Sequence, residues 1–234
     1  MKTIAIIPAR SGSKGLKNKN IADVCGRPLM DYTIKAAIDS KCFDTVMVST
    51  DSELYASVAE ACGAEVPFLR SEYTSSDTAG TWDAVREVLI NYKTSGKTYD
   101  CVAVLQPTSP LRTKEDIQGA FAMLEKKGVH NVVSVTEVAH PVQWCFSLDE
   151  TRSLAEFAQS PYSNLRRQEL EKHYQENGAI YLVDAAKIMD NCYNLYDDCC
   201  YAYIMPRSRS IDVDEEVDLI IVKAMIENEA RNAK

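Results

Sequence analysis

The segment IAIIPARSGSKGLKNKN, residues 4–20, indicates the fold class of this chain. It opens with a short apolar run of strand type that stops at a proline, and a loop of small residues carrying Arg10, Lys14, Lys17 and Lys19 follows. In α/β proteins, ligands bind at the carboxyl ends of the strands. Small residues there let backbone N–H groups approach phosphate oxygens, and the basic side chains supply positive charge. The segment therefore predicts a polyphosphate-binding loop behind a first β-strand, with a solvated surface turn as the competing interpretation.

The loop does not match the two best-known phosphate-binding patterns. Its lysine precedes the second glycine and no Ser/Thr closes the motif, so it is not a GxxxxGK[ST] loop, and it is not GxGxxG either. Four cations in one loop of a chain with formal net charge −8 still require a local reason, and a polyphosphate ligand supplies one.

The composition is that of an acidic globular protein. With 234 residues, 46% apolar and 26% charged, the chain can bury a full core, and we expect one domain over residues 1–234. The negative charge disfavours nucleic acids and anionic membrane surfaces, which both require basic patches. No apolar run approaches the length of a membrane span, and residues 4–7 are too few for a signal-peptide core. We therefore expect a cytoplasmic protein that binds neither nucleic acid nor membranes.

The cysteines and histidines do not suggest a metal site. The eight cysteines are scattered without a C-x-x-C pair, which favours reduced thiols acting as small apolar residues. The three histidines do not fall at zinc-ligand spacings beside cysteines. His140 and His173 are interpreted as structural residues.

Strand-type runs and helical patterns alternate along the chain. The expected strands cover residues 2–7, 45–49, 65–69, 99–105, 131–138, 178–183 and 201–205, and the expected helices cover residues 29–37, 52–61, 81–91, 113–126 and 217–230. Buried apolar strands that alternate with helices predict an α/β fold, a mostly parallel Rossmann-like sheet with helices on both faces. The more polar residues 140–175 interrupt this rhythm and are interpreted as an excursion whose aromatic residues cover the protein's own core or a partner subunit.

A pair of aspartates precedes the last helix. Asp212 and Asp214 are two residues apart, so on an extended segment their side chains point the same way. Two carboxylates on one face can hold a hard divalent cation, with waters and substrate phosphates completing its coordination. The alternative is helix capping, because acidic residues favour a helix N-terminus. Both interpretations remain open from the sequence.

Three further segments allow both a functional and a structural interpretation. The QPTSPLR stretch, residues 106–112, follows an apolar strand and is either a ligand-binding loop or a simple strand-to-helix turn. Arg166 and Arg167 either capture a carboxylate or form a solvated surface. Residues 76–81 either cap the following helix or form the rim of a nucleoside site.

Together these segments resemble the CMP-sialic acid synthetase family, the N-acylneuraminate cytidylyltransferases. The resemblance is carried, in the family's order, by residues 8–15 with Lys19 and Asn20, then 49–51, 76–79, 105–112, 166–168, 177–181 and 211–214. It implies a reaction in which CTP and a nine-carbon 2-keto sugar acid give a CMP-sugar and pyrophosphate, with Mg²⁺ as cofactor. It also implies that residues 140–175 form an embedded dimerisation and sugar-side element, so a homodimer is expected.

The resemblance assigns roles residue by residue. It implies nucleotide contacts for Ala9, Arg10, Ser13, Lys14, Lys19, Asn20, Arg70 and Thr81, sugar contacts for Gln106, Ser109, Arg167 and Asn177, and metal binding for Asp212 and Asp214. Arg167 would hold the sugar carboxylate. Lys14, Arg10 and Asp212 are the expected catalytic residues, with Lys14 stabilising the reacting phosphate and one of the two aspartates assisting deprotonation.

Departures from the family pattern leave the sugar open. Many sialic acid enzymes have a lysine where this chain has Gln143, and some have an arginine at the position of Gln175. Legionaminic and pseudaminic acid synthetases share the CTP half, whereas residues 15–17 do not reproduce the arginine-leucine-proline step of the KDO enzymes. The remaining alternatives are a nucleotide-binding module without turnover and a nucleotidyltransferase that uses a sugar phosphate and another NTP.

Overall fold

A computed structural model describes residues 1–12, 15–126, 128–190 and 194–232. Over these residues the strands are β1 Thr3–Pro8, β2 Asp23–Val24, β3 Arg27–Pro28, β4 Thr45–Ser49, β5 Cys101–Val104, β6 Asn131–Glu137, β7 Tyr174–Asp184 and β8 Cys200–Met205. Strands β2 and β3 form a small antiparallel hairpin. The other strands form one sheet in the order β4-β1-β5-β7-β6-β8.

The main sheet is mostly parallel, as the alternating pattern predicts. Strand β1 pairs in parallel with β4 and β5, and β6 pairs in parallel with β8, while β7 runs antiparallel to both β5 and β6. The chain leaves the sheet after Glu137 at the carboxyl end of β6 and re-enters at Tyr174, which pairs with Glu137. A connection that leaves and returns at the same edge must reverse the strand direction, which explains the antiparallel strand.

Helices cover both faces of the sheet. They are α1 Leu29–Ser40, α2 Glu53–Ala61, α3 Glu72–Ser75, α4 Thr81–Thr94, α5 Lys114–Leu124, α6 Ala155–Ala158, α7 Ala185–Met189 and α8 Glu216–Asn232. Helices α1, α2 and α5 contribute to the core on one face, and α4 and α7 to the core on the other. Alternate residues of β1 join opposite cores, Ala5 and Ile7 on one face and Ile4 and Ile6 on the other. Burial on both faces is why this strand is a continuous apolar run.

Local signals define several helix ends. Ser52 accepts a hydrogen bond from the Tyr55 N–H and caps α2, and Thr113 and Asp116 form a reciprocal capping box at the start of α5. The strand expected over residues 65–69 reduces to one isolated bridge between Met47 and Glu65.

The last helix packs by only part of its surface. Leu219 and Val222 join a small core with Val24 and Leu29, whereas neighbouring apolar residues of α8 remain exposed. No helix in the described ranges is long and apolar enough to cross a membrane.

The segment between β6 and β7 projects from the carboxyl edge of the sheet. It contains short 3-10 turns at Val142–Trp144 and Arg167–Glu169 as well as α6. The rings of Phe146 and Phe157 lie 4.9 Å apart, centroid to centroid. Large apolar side chains remain exposed along it, namely Val142, Phe146, Leu148, Leu154, Tyr162 and Leu165.

Candidate active site

An open cleft of about 300 Å³ lies at the carboxyl edge of the sheet. The segments that follow β1, β4, β5 and β8 form its walls, as expected for a ligand site in a sheet of this type. Its described lining residues are Pro8, Arg10, Lys19, Asn20, Arg70, Thr74, Ala79, Gly80, Thr81, Gln106, Pro107, Thr108, Asp212 and Asp214.

The loop after β1 is anchored on both sides. The Ser11 N–H and hydroxyl donate to the two carboxylate oxygens of Asp51, at 2.7 and 2.9 Å. Nη1 of Arg10 lies 2.9 Å from Oδ1 of Asp77 and donates to the Ser76 carbonyl at 3.1 Å. Arg10 therefore ties the basic loop to the segment before α4, and one edge of its guanidinium is already occupied.

The basic loop and the aspartate segment meet directly. Nζ of Lys19 donates to Oδ1 of Asp214 at 2.8 Å, across 195 residues of sequence. The backbones of the two segments are also close to each other, since a Cβ added at Gly15 would lie only 2.6 Å from the Asp214 carbonyl oxygen. The two walls of the cleft are thus packed against each other at one end.

The aspartate segment is extended and fixed by its central residue. Val213 is fully buried and its N–H donates to the Thr108 carbonyl at 2.8 Å. Asp212 and Asp214 alternate with it and both line the cleft. The N–H groups of Asp214 and Glu215 donate to Oδ2 of Asp218, at 3.0 and 2.9 Å. Capping at the start of α8 therefore falls to Asp218, and the Asp214 carboxylate remains in the cleft.

The carboxylate of Asp212 is electrostatically unusual. Desolvation by the cleft walls raises its pKa, and the negative charge of Asp214 adds to this effect, while a hydrogen bond from Thr108 and the charge of Lys19 oppose it. A cation placed between Asp212 and Asp214 would relieve this repulsion.

The carboxylates fit a hard divalent cation that shares its coordination with a ligand. Within the described ranges, no three His, Cys, Asp or Glu side chains cluster as a complete metal site. The oxygens of Asp212 and Asp214 suit Mg²⁺, which usually binds one or two carboxylates together with waters and substrate phosphates. The residues present therefore fit such a metal when a phosphate ligand is bound.

Arg70 is a further cation in the lining of the cleft, beside Arg10 and Lys19. Its Nε donates to the Ser49 carbonyl and hydroxyl, at 3.2 and 2.8 Å, and its backbone N–H donates to the Thr50 carbonyl. Burial lowers the pKa of Arg70 to about 10, so the side chain stays charged at neutral pH. Nη2 of Arg70 is buried and has no hydrogen-bond partner among the described residues. A fixed, charged guanidinium in the lining of the cleft suits an anionic or carbonyl ligand.

The first turn of α4 also faces the cleft. Gly80 is the N-cap of this helix and Thr81 its first residue, and both line the cleft. A helix N-terminus carries partial positive charge and unpaired N–H groups, which favour an anion. Asn20, on the other side, is buried and its Nδ2 donates to the Arg10 carbonyl at 3.3 Å.

The far end of the cleft is built around Gln106. Gly178 has φ +70°, and a Cβ there would lie 2.7 Å from Oε1 of Gln106. The positive φ favours glycine at this position, and the absence of a Cβ leaves room for the end of the Gln106 side chain. Beneath them, Nη1 of the buried Arg112 donates to the carbonyls of Gln106 and Ala179, at 3.2 and 2.7 Å. These contacts fix the position of the Gln106 loop.

A smaller pocket of about 150 Å³ opens beside the cleft. The two share Thr81 and Gln106. Its other described lining residues are Trp82, Val104, Glu176, Tyr181, Leu195 and Tyr196. Of these, only Tyr181 lies in one of the segments that carry the family resemblance, residues 177–181. The sequence signal that could have pointed to Glu176 is the polar stretch just before Asn177 and Gly178, where the excursion ends.

The structure brings most of the predicted site residues together. Those lining the cleft are Arg10, Lys19, Asn20, Arg70, Thr81, Gln106, Asp212 and Asp214. Ala9 and Ser109 are buried next to lining residues, at the ends of β1 and of the Gln106 loop. The predicted Ser13 and Lys14 lie outside the described residues.

Two predicted sugar contacts lie elsewhere. Asn177 is buried, accepts from the Ser134 hydroxyl at 2.6 Å and donates to the Ser210 hydroxyl at 2.9 Å, so its side chain serves the sheet rather than the cleft. Arg167 lines a separate depression with His173 in the excursion. Arg167 is not among the described residues that line the cleft.

Comparisons with known proteins identify the family of this chain. The cytidylyltransferase family model matches residues 4–205. The chain is 35% identical over 230 residues to a CMP-N,N'-diacetyllegionaminic acid synthase of Legionella pneumophila, covering 97% of both proteins. It is 32% identical over 225 residues to a pseudaminic acid cytidylyltransferase of Campylobacter jejuni, covering 96% of both. It is 38% identical over 218 residues to an N-acylneuraminate cytidylyltransferase of Escherichia coli, covering 93% of this chain but 50% of that protein, so the chain spans about half the length of this relative.

The fold is also found in solved structures. A CMP:2-keto-3-deoxy-manno-octonic acid synthetase solved with CTP superposes with a TM-score of 0.72 at 17% identity, covering 98% of this chain and 100% of that one. This likeness concerns the fold alone. The family model and the relatives confirm the resemblance seen in the sequence, and the chain belongs to the cytidylyltransferase family, among relatives of the CMP-sialic acid synthetase type.

Proposed function

We propose that this protein transfers CMP from CTP to the anomeric hydroxyl of a nonulosonic acid, a nine-carbon 2-keto sugar acid, and releases pyrophosphate. The contact of Lys19 with Asp214 supports this most strongly, because it joins a basic wall and a carboxylate wall around one cleft. A nucleoside triphosphate with a divalent cation requires both kinds of wall.

CTP would lie along the cleft with its phosphates toward the loop after β1. Arg10, Lys14 and Lys19 would face the triphosphate, with Ala9, Ser13 and Asn20 forming the rest of the loop. The first turn of α4 favours negative charge at Thr81. Arg70 lines the cleft and would face the nucleoside.

The acceptor would lie at the Gln106 end. There the small pocket joins the cleft, so a sugar bound in it could present its anomeric hydroxyl to the α-phosphorus. The oxygen forms a new bond to phosphorus, the bond between the α- and β-phosphates breaks, and pyrophosphate leaves. The two reactants are both anionic, so holding them together and neutralising their charge carries most of the rate enhancement.

Particular residues would then serve the chemistry. Lys14 and Arg10 would stabilise the reacting phosphate. Asp212 is the proposed acceptor of the hydroxyl proton, because its carboxylate lines the cleft in which the two reactants would meet. Mg²⁺ held by Asp212 and Asp214 would, when bound, neutralise phosphate charge. Gln106 would position the acceptor, and its backbone carbonyl is held by Arg112.

The excursion over residues 140–175 is proposed as a homodimer surface in a cytoplasmic enzyme. Its exposed apolar side chains, Phe146, Leu148 and Leu154 among them, suit burial against a second copy. Arg167 lies on this element, so it could contact a sugar carboxylate only across such a dimer. Light scattering should give a dimer mass at working concentration, and a monomer would remove both assignments.

The direct test is product identification. Purified protein is incubated with Mg²⁺, CTP and, separately, sialic, legionaminic and pseudaminic acids, and nucleotide sugars are identified by mass spectrometry. We expect a CMP-sugar and pyrophosphate with at least one acid, and little product when UTP, GTP or ATP replaces CTP. CTP binding without product from any acid would instead favour a non-catalytic nucleotide-binding module.

A further inference from the structure

One helical turn in the lining of the cleft is not held by apolar packing. Helix α3, Glu72–Ser75, is four residues long, and Ser71 caps its start. Its one large apolar side chain, that of Tyr73, is 68% exposed and joins none of the described apolar cores. Thr74, by contrast, is buried and lines the cleft. A single turn is not stable by itself, so other contacts must hold Thr74 in place.

The carboxylate of Glu87 supplies these contacts from α4. Its Oε1 accepts from the Ser71 N–H at 2.9 Å, and its Oε2 accepts from the Thr74 hydroxyl. The Thr74 N–H in turn donates to the Ser71 hydroxyl at 3.3 Å. Both oxygens of one carboxylate are therefore used on the α3 turn, one at its cap and one at its buried residue.

Glu87 joins two parts of the cleft lining. Helix α4 lines the cleft through Gly80 and Thr81 at its start, and α3 lines it through Thr74. Because Glu87 and Thr81 belong to one helix, the bonds from Glu87 set the position of Thr74 relative to that helix start. Glu87 also acts on Arg70, which precedes the cap of α3. Burial lowers the pKa of Arg70, and the negative charge of Glu87 is among those that oppose this lowering.

A different contact holds the other end of this segment. Nη1 of Arg10 donates to the Ser76 carbonyl at 3.1 Å and pairs with Oδ1 of Asp77 at 2.9 Å. Arg10 belongs to the loop after β1, which would bind the triphosphate. The bonds from Glu87 come from α4 and not from that loop, so they can hold the α3 turn whether or not a phosphate is bound.

We propose that Glu87 is a positioning residue for nucleotide binding, which holds the α3 turn against α4 and so keeps Thr74 in place in the lining of the cleft. Without these bonds the turn would leave its place in most molecules. The apparent affinity for a nucleotide falls with the fraction of molecules that remains competent to bind it. This inference rests on the proposed function, because it takes CTP as the ligand of the cleft.

The test measures CTP binding by calorimetry and steady-state kinetics at pH 7 with Mg²⁺, for wild type and Glu87→Ala. The variant should raise the Kd and the KM for CTP about tenfold, because hydrogen bonds to a charged group are lost. The acceptor KM and the kcat at saturating CTP should change less than about twofold. Without CTP, the amides of residues 71–75 should exchange hydrogen faster in the variant than in wild type.

Two conservative variants separate position from charge. Glu87→Gln keeps the length of the side chain, since its oxygen can accept from the Ser71 N–H while its amide group donates to the Thr74 hydroxyl. Its Kd for CTP should stay within about threefold of wild type. Glu87→Asp keeps the charge but is one methylene too short to reach both partners, and should raise the Kd about fivefold or more.

A control variant and a thermal melt complete the set. Glu60→Ala removes an exposed glutamate from α2, outside the lining of the cleft, and should leave the Kd for CTP unchanged. Thermal melting identifies any variant that has lost its fold. If Glu87→Ala has lost it, the comparison of Glu87→Gln with Glu87→Asp decides the matter.

The outcomes separate the two proposals. If wild type binds CTP and makes a CMP-sugar, but Glu87→Ala and Glu87→Asp bind CTP as wild type does, the role of Glu87 is wrong and the proposed function stands. The same holds if the KM values for CTP and acceptor rise equally, or if Glu87→Gln is the more impaired of the two conservative variants. If wild type binds no CTP, both proposals fail.

Discussion

Replacing Gly15 by alanine should separate the two walls of the cleft without unfolding the protein. The added Cβ would lie 2.6 Å from the carbonyl oxygen of Asp214. That oxygen belongs to the backbone, so it cannot rotate away as a flexible side chain could. The φ of Gly15 lies outside the left-handed region, so the substitution acts through this one contact.

The expected magnitude follows from the geometry. Ordinary contact for a Cβ begins at about 3.4 Å, so the loop or the aspartate segment must withdraw by about 0.8 Å. Such a shift would lengthen the ion pair between Lys19 and Asp214. Misplacement of a reacting group by about 1 Å can cost about 100-fold in rate. We therefore expect kcat to fall about 10- to 100-fold.

The assay is steady-state pyrophosphate release with CTP, Mg²⁺ and the preferred acid, together with a thermal melt. Gly12→Ala is the matched control, because it changes the same loop at a position with nothing within 4 Å of the added Cβ. We expect near-normal kcat for this control and a small change in melting temperature for both variants. Equal activities for Gly12→Ala and Gly15→Ala would refute the packing of the basic loop on the aspartate segment.

Two other variants test different parts of the structure. Gly178→Ala should raise the KM for the acid acceptor about tenfold or more in the same assay, with little change in the KM for CTP. The reason is that the substitution strains the backbone at φ +70° and displaces the end of the Gln106 side chain. An unchanged acceptor KM would argue against a role for Gln106 on the sugar side. Asp116→Asn should lower the free energy of unfolding by about 3 kcal/mol in urea, because it breaks a buried carboxylate's two-bond pairing with Arg209. Burial alone would raise the pKa of Asp116, but hydrogen bonds from Arg209 and Thr113, together with the charge of Arg209, outweigh burial and lower this pKa. The stability that the pairing contributes is therefore present above about pH 4 and is lost as acid protonates the carboxylate in the folded protein. The variant's unfolding free energy should therefore fall less than that of wild type between pH 5 and about 3, and parallel pH curves would contradict this account.

The parts of the fold that follow local patterns could be predicted from the sequence. The apolar run of β1, the box between Thr113 and Asp116, and the alternation of Asp212 and Asp214 around an apolar Val213 each act over a few residues. The position of the loop after β1 at the carboxyl edge follows from the parallel sheet. These features place most of the predicted nucleotide and metal residues in one cleft.

The remaining features depend on contacts distant in sequence. The start of β7 is polar, and it is a strand because Glu176 and its neighbours pair with β6 across the long excursion. Residues 66–69 are mostly apolar, but the isolated bridge to β4 is formed by Glu65, with Met47, and not by these residues. The small pocket beside the cleft joins residues from α4, β5, β7 and the chain after α7, and no spacing in the sequence reveals such a set.

The central claim is that the basic loop and Asp212 lie on two sides of one triphosphate and share it with a divalent cation. The most direct measurement is calorimetric CTP binding with and without Mg²⁺, for wild type and Asp212→Asn. Without Mg²⁺ the variant should bind CTP several-fold more tightly than wild type, because a repelling charge is removed. With Mg²⁺ the order should reverse, and wild type should bind more tightly. An equal gain in affinity from Mg²⁺ in both proteins would contradict the account.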